Sequence, residues 1–232
     1  MKLEIHDKFK KILEKPIEHY DEAVNTHQIE DLANRKFSLN AYSYYTTGSL
    51  DNQSLLENIR AFQRYKILPR CLVDISGLDT SVELLGEKID IPICIAPTAM
   101  HKLAHHNGEI ATAQAATELN TLLCLSSICS YSLTEVAKHA KVKWMQFYVP
   151  KDLKVAEKQI KMIENAGYTA LVVTIDTPTF GIRDFENLSR FDGPEGAIKK
   201  KSSAVVESGM GQFFTRTFNL VRFFNYYIIF FI

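Results

Sequence analysis

Four segments of this chain share one pattern, an apolar run that becomes polar at its C-terminal end. The runs begin near Ile91, Thr121, Trp144 and Ala170, and hydroxyl, amide or proline residues follow each of them. Strands that are apolar along their whole length are buried on both faces, as in parallel sheets. In a (β/α)8 barrel, such strands present functional groups at their C-terminal ends. The pattern therefore predicts an α/β fold with a site at one edge of a parallel sheet.

The predicted strands alternate with predicted helices. We predict four parallel neighbours in one sheet, at Ile91–Pro97, Leu122–Ser126, Trp144–Val149 and Ala170–Ile175. Helical patterns lie between them at Gly108–Glu118, Leu133–His139 and Leu153–Ala166, and Gly167 is placed to end the last helix. These intervals fit βα units with right-handed crossovers. No glycine-rich phosphate motif follows the first strand, which favours a TIM (β/α)8 barrel over a dinucleotide-binding sheet. The sequence thus predicts about the first four βα units of a barrel.

The chain is predicted to divide into three regions. Residues 1–27 form a charged N-terminal helical extension, residues 28–191 form the barrel half, and residues 192–232 form a loop and an aromatic tail. Within the middle region, Ile29, Leu32 and Phe37 recur at helical spacing. A second amphipathic helix is predicted at Leu55–Tyr65, and a hairpin or short strands around Gly77.

Composition excludes several classes of function. Lysine plus arginine and aspartate plus glutamate each total 27, so the net charge gives no reason to expect nucleic acid or an anionic membrane as a partner. The four cysteines show no CxxC spacing, which suits a reducing compartment. The N-terminus lacks the apolar core of a secretory signal. The aromatic tail contains Arg222 and is shorter than the ~20 apolar residues of a membrane span, so we do not expect one.

Polar groups at the predicted strand ends suit a planar, hydrogen-bonding cofactor. Gln146 offers an amide, Ser126 and Thr174 offer hydroxyls, and residues 97–99 combine small side chains with accessible backbone. Tyr148 lies two residues after Gln146 and so on the same face of that strand. We predict that the strand-end groups converge at one end of the sheet, with two further side chains nearby. Those two are the phenol of Tyr44 and the guanidinium of Arg183.

Seven segments of the chain strongly resemble the FMN-dependent 2-hydroxy-acid oxidases and dehydrogenases, which include glycolate oxidase and lactate oxidase. The segments are AYSYYTTG, LPRCLVDIS, IPICIAPTAM, KLAHHNGEIATAQAA, LCLSS, QFYV and TIDTPTFGIR. The resemblance as a whole runs from about Gln28 to Phe191. The resemblance implies a TIM barrel that binds FMN at its C-terminal face and oxidises a small 2-hydroxy acid.

The same resemblance implies a role for each matching residue. The residues that would contact the flavin are Pro97, Thr98, Ala99, Ser126, Gln146 and Thr174. Tyr44 and Arg183 would bind the substrate, with Arg183 gripping its carboxylate. Tyr148 would act in catalysis by hydrogen-bonding the substrate hydroxyl oxygen. The resemblance also implies a peroxisomal or cytoplasmic location and a homo-oligomer, and it leaves the chain length of the acid and the electron acceptor open.

The family's later strands supply a lysine, a catalytic histidine, a second substrate arginine and a phosphate-binding loop, and nothing in this sequence matches them. We therefore expect little or no turnover by the 232-residue chain, and two unpaired strand edges in an open half-barrel. The alternative interpretation is a catalytically inactive fragment with at most residual FMN or partner binding. A third interpretation, a tail-anchored membrane protein, is disfavoured by Arg222 and the short tail.

A cluster of histidines suggests a rival hypothesis, a metal site. His101, His105, His106 and Glu109 lie within nine residues of one another, and histidines with a carboxylate are common zinc ligands. Asn107 and Gly108 would interrupt a helix that joined the histidines to Glu109. We therefore predict no metal, and we interpret these residues as a βα loop and the start of a helix.

Overall fold

The computed structural model describes residues 16–175, 181–184 and 227–231, and the last of these ranges is described by its backbone alone. The predicted N-terminal extension as far as residue 15, residues 176–180 of the TIDTPTFGIR segment, and most of the predicted loop and tail at 192–232 lie outside the described residues. Within the described ranges the chain forms six α-helices, three short 3₁₀ helices and six strands.

Three helices precede the sheet, α1 (Thr26–Lys36), α2 (Leu39–Thr46) and α3 (Gln53–Ala61). Asn25 caps α1 and Ser38 caps α2, each by accepting a hydrogen bond from a backbone amide three residues later. Helix α2 carries the aromatic segment that the sequence patterns left without a predicted helix. Short 3₁₀ helices occur at Tyr20–Glu22, Phe62–Arg64 and His101–Leu103.

A hairpin leads into the sheet, but it is not where the sequence predicted it. Strands β1 (Val82–Leu84) and β2 (Glu87–Ile89) pair antiparallel. Leu85 and Gly86 both have positive φ, at 52° and 82°, as in the two-residue turns that match strand twist. The predicted turn at Gly77 is therefore wrong, although β1 lies within residues 71–86, for which the alternative prediction was short strands. Leucine disfavours positive φ, so the sequence gives a weak signal for the turn that is used.

The predicted parallel sheet is confirmed for three strands. They are β3 (Leu122–Leu125), β4 (Val142–Phe147) and β5 (Ala170–Thr174), and they lie in that order with parallel pairing. Every residue in them is buried except the half-buried Lys143. Burial on both faces explains why these strands are continuous apolar runs.

The segment Ile91–Pro97 is not a continuous strand, which corrects the prediction. Only Ile95 pairs, through a parallel bridge to Leu123. The Ile95 amide donates to the Leu122 carbonyl at 2.9 Å, and the Cys124 amide donates to the Ile95 carbonyl at 3.0 Å. Prolines at 92 and 97 have no amide to donate, which limits the ladder between them. The predicted position and direction are correct, but the predicted length is not.

Three helices follow the strands, α4 (Gly108–Glu118), α5 (Leu133–Ala137) and α6 (Leu153–Asn165). They pack on one face of the sheet, where Leu123, Leu125, Met145, Phe147 and Leu171 enter the main core. The other face contributes Leu122, Trp144 and Val172 to a second cluster, which contains Ile89 of the hairpin. Gly167 ends α6 with φ of 79° and donates to Glu164, which confirms the predicted cap.

The outer edge of β5 is paired, contrary to the expectation of two open edges. Strand β6 (Tyr227–Phe231) lies antiparallel to β5, and the register runs from Ala170 opposite Phe231 to Thr174 opposite Tyr227. Aromatic and β-branched residues favour strands, and the sequence patterns did not assign this segment to one. Within the described residues, none of the helices has the length and hydrophobicity needed to span a membrane.

Candidate functional site

A buried hydrogen-bonded network joins the C-terminal ends of β3, β4 and β5. The Gln146 side chain is 3% exposed, and its Oε1 accepts bonds from the backbone amide and the hydroxyl of Ser127, both at 2.9 Å. Its Nε2 donates to Oγ1 of Thr174 at 2.8 Å. Gln146 lies on β4, Thr174 ends β5, and Ser127 follows β3. The parallel arrangement therefore brings together groups that are distant in sequence.

The backbone fixes the polarity of this network. A backbone amide can only donate, so the Gln146 oxygen must face Ser127 and its nitrogen must face Thr174. Thr174 therefore accepts from Gln146, which leaves its own hydroxyl hydrogen to donate elsewhere. The Gln146 amide nitrogen also carries a second hydrogen. The strand ends are thus organised to donate hydrogen bonds to an acceptor.

Ser126 holds the loop that follows β3. Its hydroxyl accepts from the Ile128 amide at 3.1 Å, and the Ile128 carbonyl accepts from the Met100 amide at 3.0 Å. These bonds connect the loop after β3 to the turn after Ile95. Sequence reasoning identified Ser126 and missed Ser127, although both residues belong to the same polar strand end.

A separate cleft of about 440 Å³ is formed by the end of α2 and the turn after it, the loop after Ile95 and the segment at residues 181–183. Five of its lining residues are predicted site residues: Tyr44, Pro97, Thr98, Ala99 and Arg183. The remaining lining residues are Tyr45, Thr47, Gly48, Ser49 and Gly181. The structure thus brings the predicted residues into two groups, the cleft and the Gln146 network. The bond between Met100 and Ile128 connects the two groups.

Tyr45 supports the wall of the cleft and was not predicted. Its phenol is within hydrogen-bonding distance of the backbone carbonyls of Ala99 at 3.0 Å and Met100 at 2.9 Å. Burial raises the pKa of Tyr45 above its ordinary value, and the neighbouring Tyr44 and Glu109 add to the effect. The phenol therefore stays protonated and remains a donor. Two successive tyrosines on a helix point in different directions, so the sequence could have separated their roles only once α2 was recognised.

Arg183 is held in the cleft by a close backbone contact. Its Cζ lies 5.8 Å from the centre of the Tyr44 ring, within cation–π range. The carbonyl of Ile182 accepts from the amide of Leu50 at 3.1 Å and from the hydroxyl of Ser49 at 2.8 Å. These two bonds dock the segment that carries Arg183 against the turn that follows α2.

Tyr148 lies directly after β4 and is half-buried. It does not belong to the residues that line the cleft. Its predicted catalytic role therefore stays a prediction, as do the individual roles of the other site residues.

The residues of the rival metal hypothesis are occupied with structural bonds. Glu109 is fully buried, and its Oε1 accepts from the amides of His101 at 3.0 Å and Ser130 at 2.8 Å. The His101 ring lies 3.0 Å from the Thr112 hydroxyl, and burial lowers the pKa of His101, opposed by the charge of Glu109. In the part of the chain that the structure describes, no three histidine, cysteine or acidic residues are arranged to hold a metal ion.

Comparison with known proteins shows the family of this chain. A sequence model of the FMN-dependent dehydrogenases matches residues 33–219. A peroxisomal (S)-2-hydroxyacid oxidase of Arabidopsis thaliana is 38% identical over 205 residues, which cover 86% of this chain and 56% of that protein. A 2-hydroxyacid oxidase of Dictyostelium discoideum is 38% identical over 199 residues, with 83% and 51% covered.

Solved structures show the same similarity. The flavin-binding domain of baker's yeast flavocytochrome b2 superposes with a TM-score of 0.70 at 29% identity. The superposition covers 82% of this chain and 50% of that one. The chain spans about half the length of the relatives that it matches. Its sheet and helices correspond to part of the TIM barrel of these enzymes. The chain belongs to the FMN-dependent dehydrogenase family.

Proposed function

We propose that this chain carries the flavin-binding and substrate-binding groups of an FMN-dependent oxidoreductase that converts (S)-2-hydroxy acids, such as glycolate, to 2-oxo acids. The observation that carries this proposal is the buried Gln146 network at the C-terminal ends of parallel strands. That edge is where (β/α)8 enzymes place their chemistry. Relatives named as 2-hydroxyacid and glycolate oxidases support the substrate class.

The residues present fit the ring of FMN. A flavin presents carbonyl oxygens along its pyrimidine edge. The second amide hydrogen of Gln146 and the hydroxyl hydrogen of Thr174, for which the described residues provide no hydrogen-bonded acceptor, suit such oxygens. Pro97, Thr98 and Ala99 give the cleft a wall of short side chains, beside which a planar ring can lie. The cleft volume also lies within the range of ligand pockets. FMN supplies the redox chemistry when bound, because its ring accepts the two electrons that leave the substrate.

The remaining residues of the cleft suit the substrate. Arg183 is a cation with a planar fork of donors, which matches a carboxylate. Tyr44 contributes a phenol, and its ring lies next to the Arg183 guanidinium. We propose that the two residues orient the acid so that its α-carbon faces the flavin, and that Tyr148 holds the hydroxyl oxygen of the substrate.

A second candidate function is flavin binding without turnover. The residues that line the cleft include no histidine, aspartate or glutamate, so the described cleft offers no side chain with the usual pKa of a general base. A positioned base contributes ~10²–10⁴ to the rate of such a step. The chain alone would then hold FMN and bind the acid without oxidising it quickly.

Location and assembly are proposed from the relatives alone. One relative is peroxisomal by name, and we propose a peroxisomal or cytoplasmic location for this chain. A homo-oligomer is proposed on the family resemblance.

Equilibrium binding of FMN tests the proposal. The quenching of flavin fluorescence is measured for the wild-type chain, for Gln146→Met and for the matched control Gln114→Met, whose side chain is exposed on α4. Methionine keeps the length of glutamine and removes its hydrogen bonds. We expect the wild type and Gln114→Met to bind FMN equally, and Gln146→Met to bind about tenfold or more weakly. Equal affinity of all three proteins, or no binding by the wild type, would contradict the proposal.

A further inference from the structure

Glu109 is a buried carboxylate that the proposed chemistry does not use. Its side chain is fully buried, and Oε2 has no hydrogen-bond partner among the described residues. Burying a carboxylate is costly where one of its oxygens lacks a hydrogen bond. Because the fold tolerates this cost, the two bonds that the other oxygen, Oε1, makes must matter to the fold or to the site.

Those bonds connect the two loops that border the candidate site. Oε1 of Glu109 accepts from the amide of His101, in the turn after Ile95, and from the amide of Ser130, in the loop after β3. The first loop supplies residues 97–99 to the cleft wall. The second loop begins with Ser126, which accepts from the Ile128 amide, and Ser127, which belongs to the strand-end network.

The neighbouring bonds give both loops a fixed spacing. The Lys102 amide donates to the Ser130 hydroxyl at 3.1 Å. A second bond between the same two loops runs from the Met100 amide to the Ile128 carbonyl. Met100 itself has a φ of 56°, a conformation that a non-glycine residue adopts at a cost. The turn is thus held in a strained form by bonds to Glu109, to Tyr45 and to the second loop.

We propose that Glu109 is a positioning residue, which sets the distance between the cleft wall at Pro97–Ala99 and the Gln146 network by bridging the two loops. One carboxyl oxygen that accepts from two amides joins the loops without occupying the cleft itself. This inference rests on the proposed function for its consequence, FMN binding. The bridge itself can be measured without FMN.

The test uses the full chain with Glu109→Ala, Glu109→Gln and the control Glu118→Ala, whose side chain is exposed at the end of the same helix. Hydrogen exchange of backbone amides is measured without ligand. We expect Glu109→Ala to accelerate exchange at His101 and Ser130 while β4 stays protected. Glu109→Gln keeps an acceptor and should show a smaller change at the same two amides, and Glu118→Ala should show none.

FMN affinity is then measured for the same proteins. We expect Glu109→Ala to weaken FMN binding about tenfold and Glu109→Gln to recover most of that loss. Tyr45→Phe provides a second variant that leaves little cavity and removes only the phenol that contacts the same turn, and we expect it to weaken FMN binding about threefold. If Glu109→Ala does not fold, Glu109→Gln and Tyr45→Phe carry the comparison.

The outcomes separate the two proposals. Unchanged exchange at His101 and Ser130 in both Glu109 variants, or uniformly faster exchange over the whole sheet, would overturn the positioning role. A Glu109 variant that exchanges faster at these two amides but binds FMN as tightly as the wild type would also overturn it. A wild-type chain that binds no FMN would contradict the proposed function, while the exchange data would still decide whether Glu109 bridges the loops.

Discussion

At the scale of single residues, the candidate site is fixed by partners within the protein. Gln146 is bonded at both ends of its amide, to Ser127 and to Thr174. Its side chain therefore loses little conformational freedom when a ligand arrives, which lowers the cost of binding. Arg183 is docked differently, through the backbone of its own segment.

The closeness of that docking gives a testable prediction at Gly181. A Cβ added there would lie 2.6 Å from Oγ and 2.9 Å from Cβ of Ser49, so Gly181→Ala must displace the segment or the turn. We expect the bond from the Leu50 amide to the Ile182 carbonyl to weaken, and amide exchange at Leu50 to become faster. Gly77→Ala is the control, because a Cβ there meets nothing within 4 Å. Unchanged protection of Leu50 in Gly181→Ala would show that the contact is looser than described.

The cysteines give a second prediction, which depends on pH. Burial raises the pKa of the Cys124 thiol from 9.0 to about 12, so the reactive thiolate is scarce in the folded protein at pH 8. Cys71 is exposed. We expect iodoacetamide at pH 8 to alkylate Cys71 while Cys124 reacts only after the protein unfolds, as measured by mass spectrometry of peptides. Equal labelling of the two residues in the native protein would be inconsistent with the buried position of β3.

The raised pKa of Cys124 also makes the stability of the fold fall at high pH. The folded state keeps the Cys124 proton to a higher pH than the unfolded state does. The thiol therefore makes a contribution to the free energy of unfolding that is present below pH 9.0 and is lost as pH rises through about 12.

At the scale of secondary-structure elements, helix α6 shows how one face of a helix stabilises the sheet. Ile163 is 2% exposed and belongs to the main core, whereas its neighbour Met162 is 46% exposed. The burial pattern agrees with the amphipathic period of the sequence.

Truncating these neighbours should therefore have different effects. We expect Ile163→Ala to lower the free energy of unfolding by about 2–5 kcal/mol, because a cavity remains in a packed core. Met162→Ala should lower it by less than about 1 kcal/mol. Urea unfolding followed by circular dichroism measures both values. Similar losses for the two variants would contradict the described packing of α6 on β4 and β5.

The elements also show what the sequence could and could not predict. The strands at 122, 142 and 170 were predictable because parallel strands buried on both faces leave long apolar runs. Helix α2 was missed because its first signal is a single capping serine, Ser38, followed by a segment of aromatic residues with moderate helix propensity. The Leu85–Gly86 turn was missed because leucine at positive φ is uncommon. Pairing of β6 is a long-range contact, on which local patterns carry no information.

The site was predictable to a similar degree. The positions of Gln146, Thr174 and Ser126 at neighbouring strand ends were predictable because polar residues there are informative, and their roles stay predictions. Ser127 and Tyr45 act through bonds to other elements. Such bonds depend on how the loops approach one another, which spacing along the chain does not define. Tyr148 was assigned by strand alternation, and its role stays a prediction.

At the scale of the whole molecule, the described sheet has helices on one face and a second apolar cluster on the other. Ile89 of the hairpin packs into that second cluster, and the outer edge of β5 is occupied by β6. The order β3-β4-β5-β6 joins three parallel strands to one antiparallel strand, and all-parallel barrels do not have this pairing. The chain thus combines barrel-type βα units with an additional edge strand.

We propose that this chain holds the flavin and the substrate carboxylate, and that the described cleft offers no side-chain base. The most direct measurement is an anaerobic titration of the FMN-loaded chain with glycolate, followed by the absorbance spectrum of the flavin. We predict a shift of the oxidised spectrum that Arg183→Met abolishes. We also predict that the flavin absorbance bleaches ~10²–10⁴-fold more slowly than in a full-length 2-hydroxyacid oxidase measured alongside. Bleaching as fast as in that enzyme, or a chain that retains no FMN, would contradict the account.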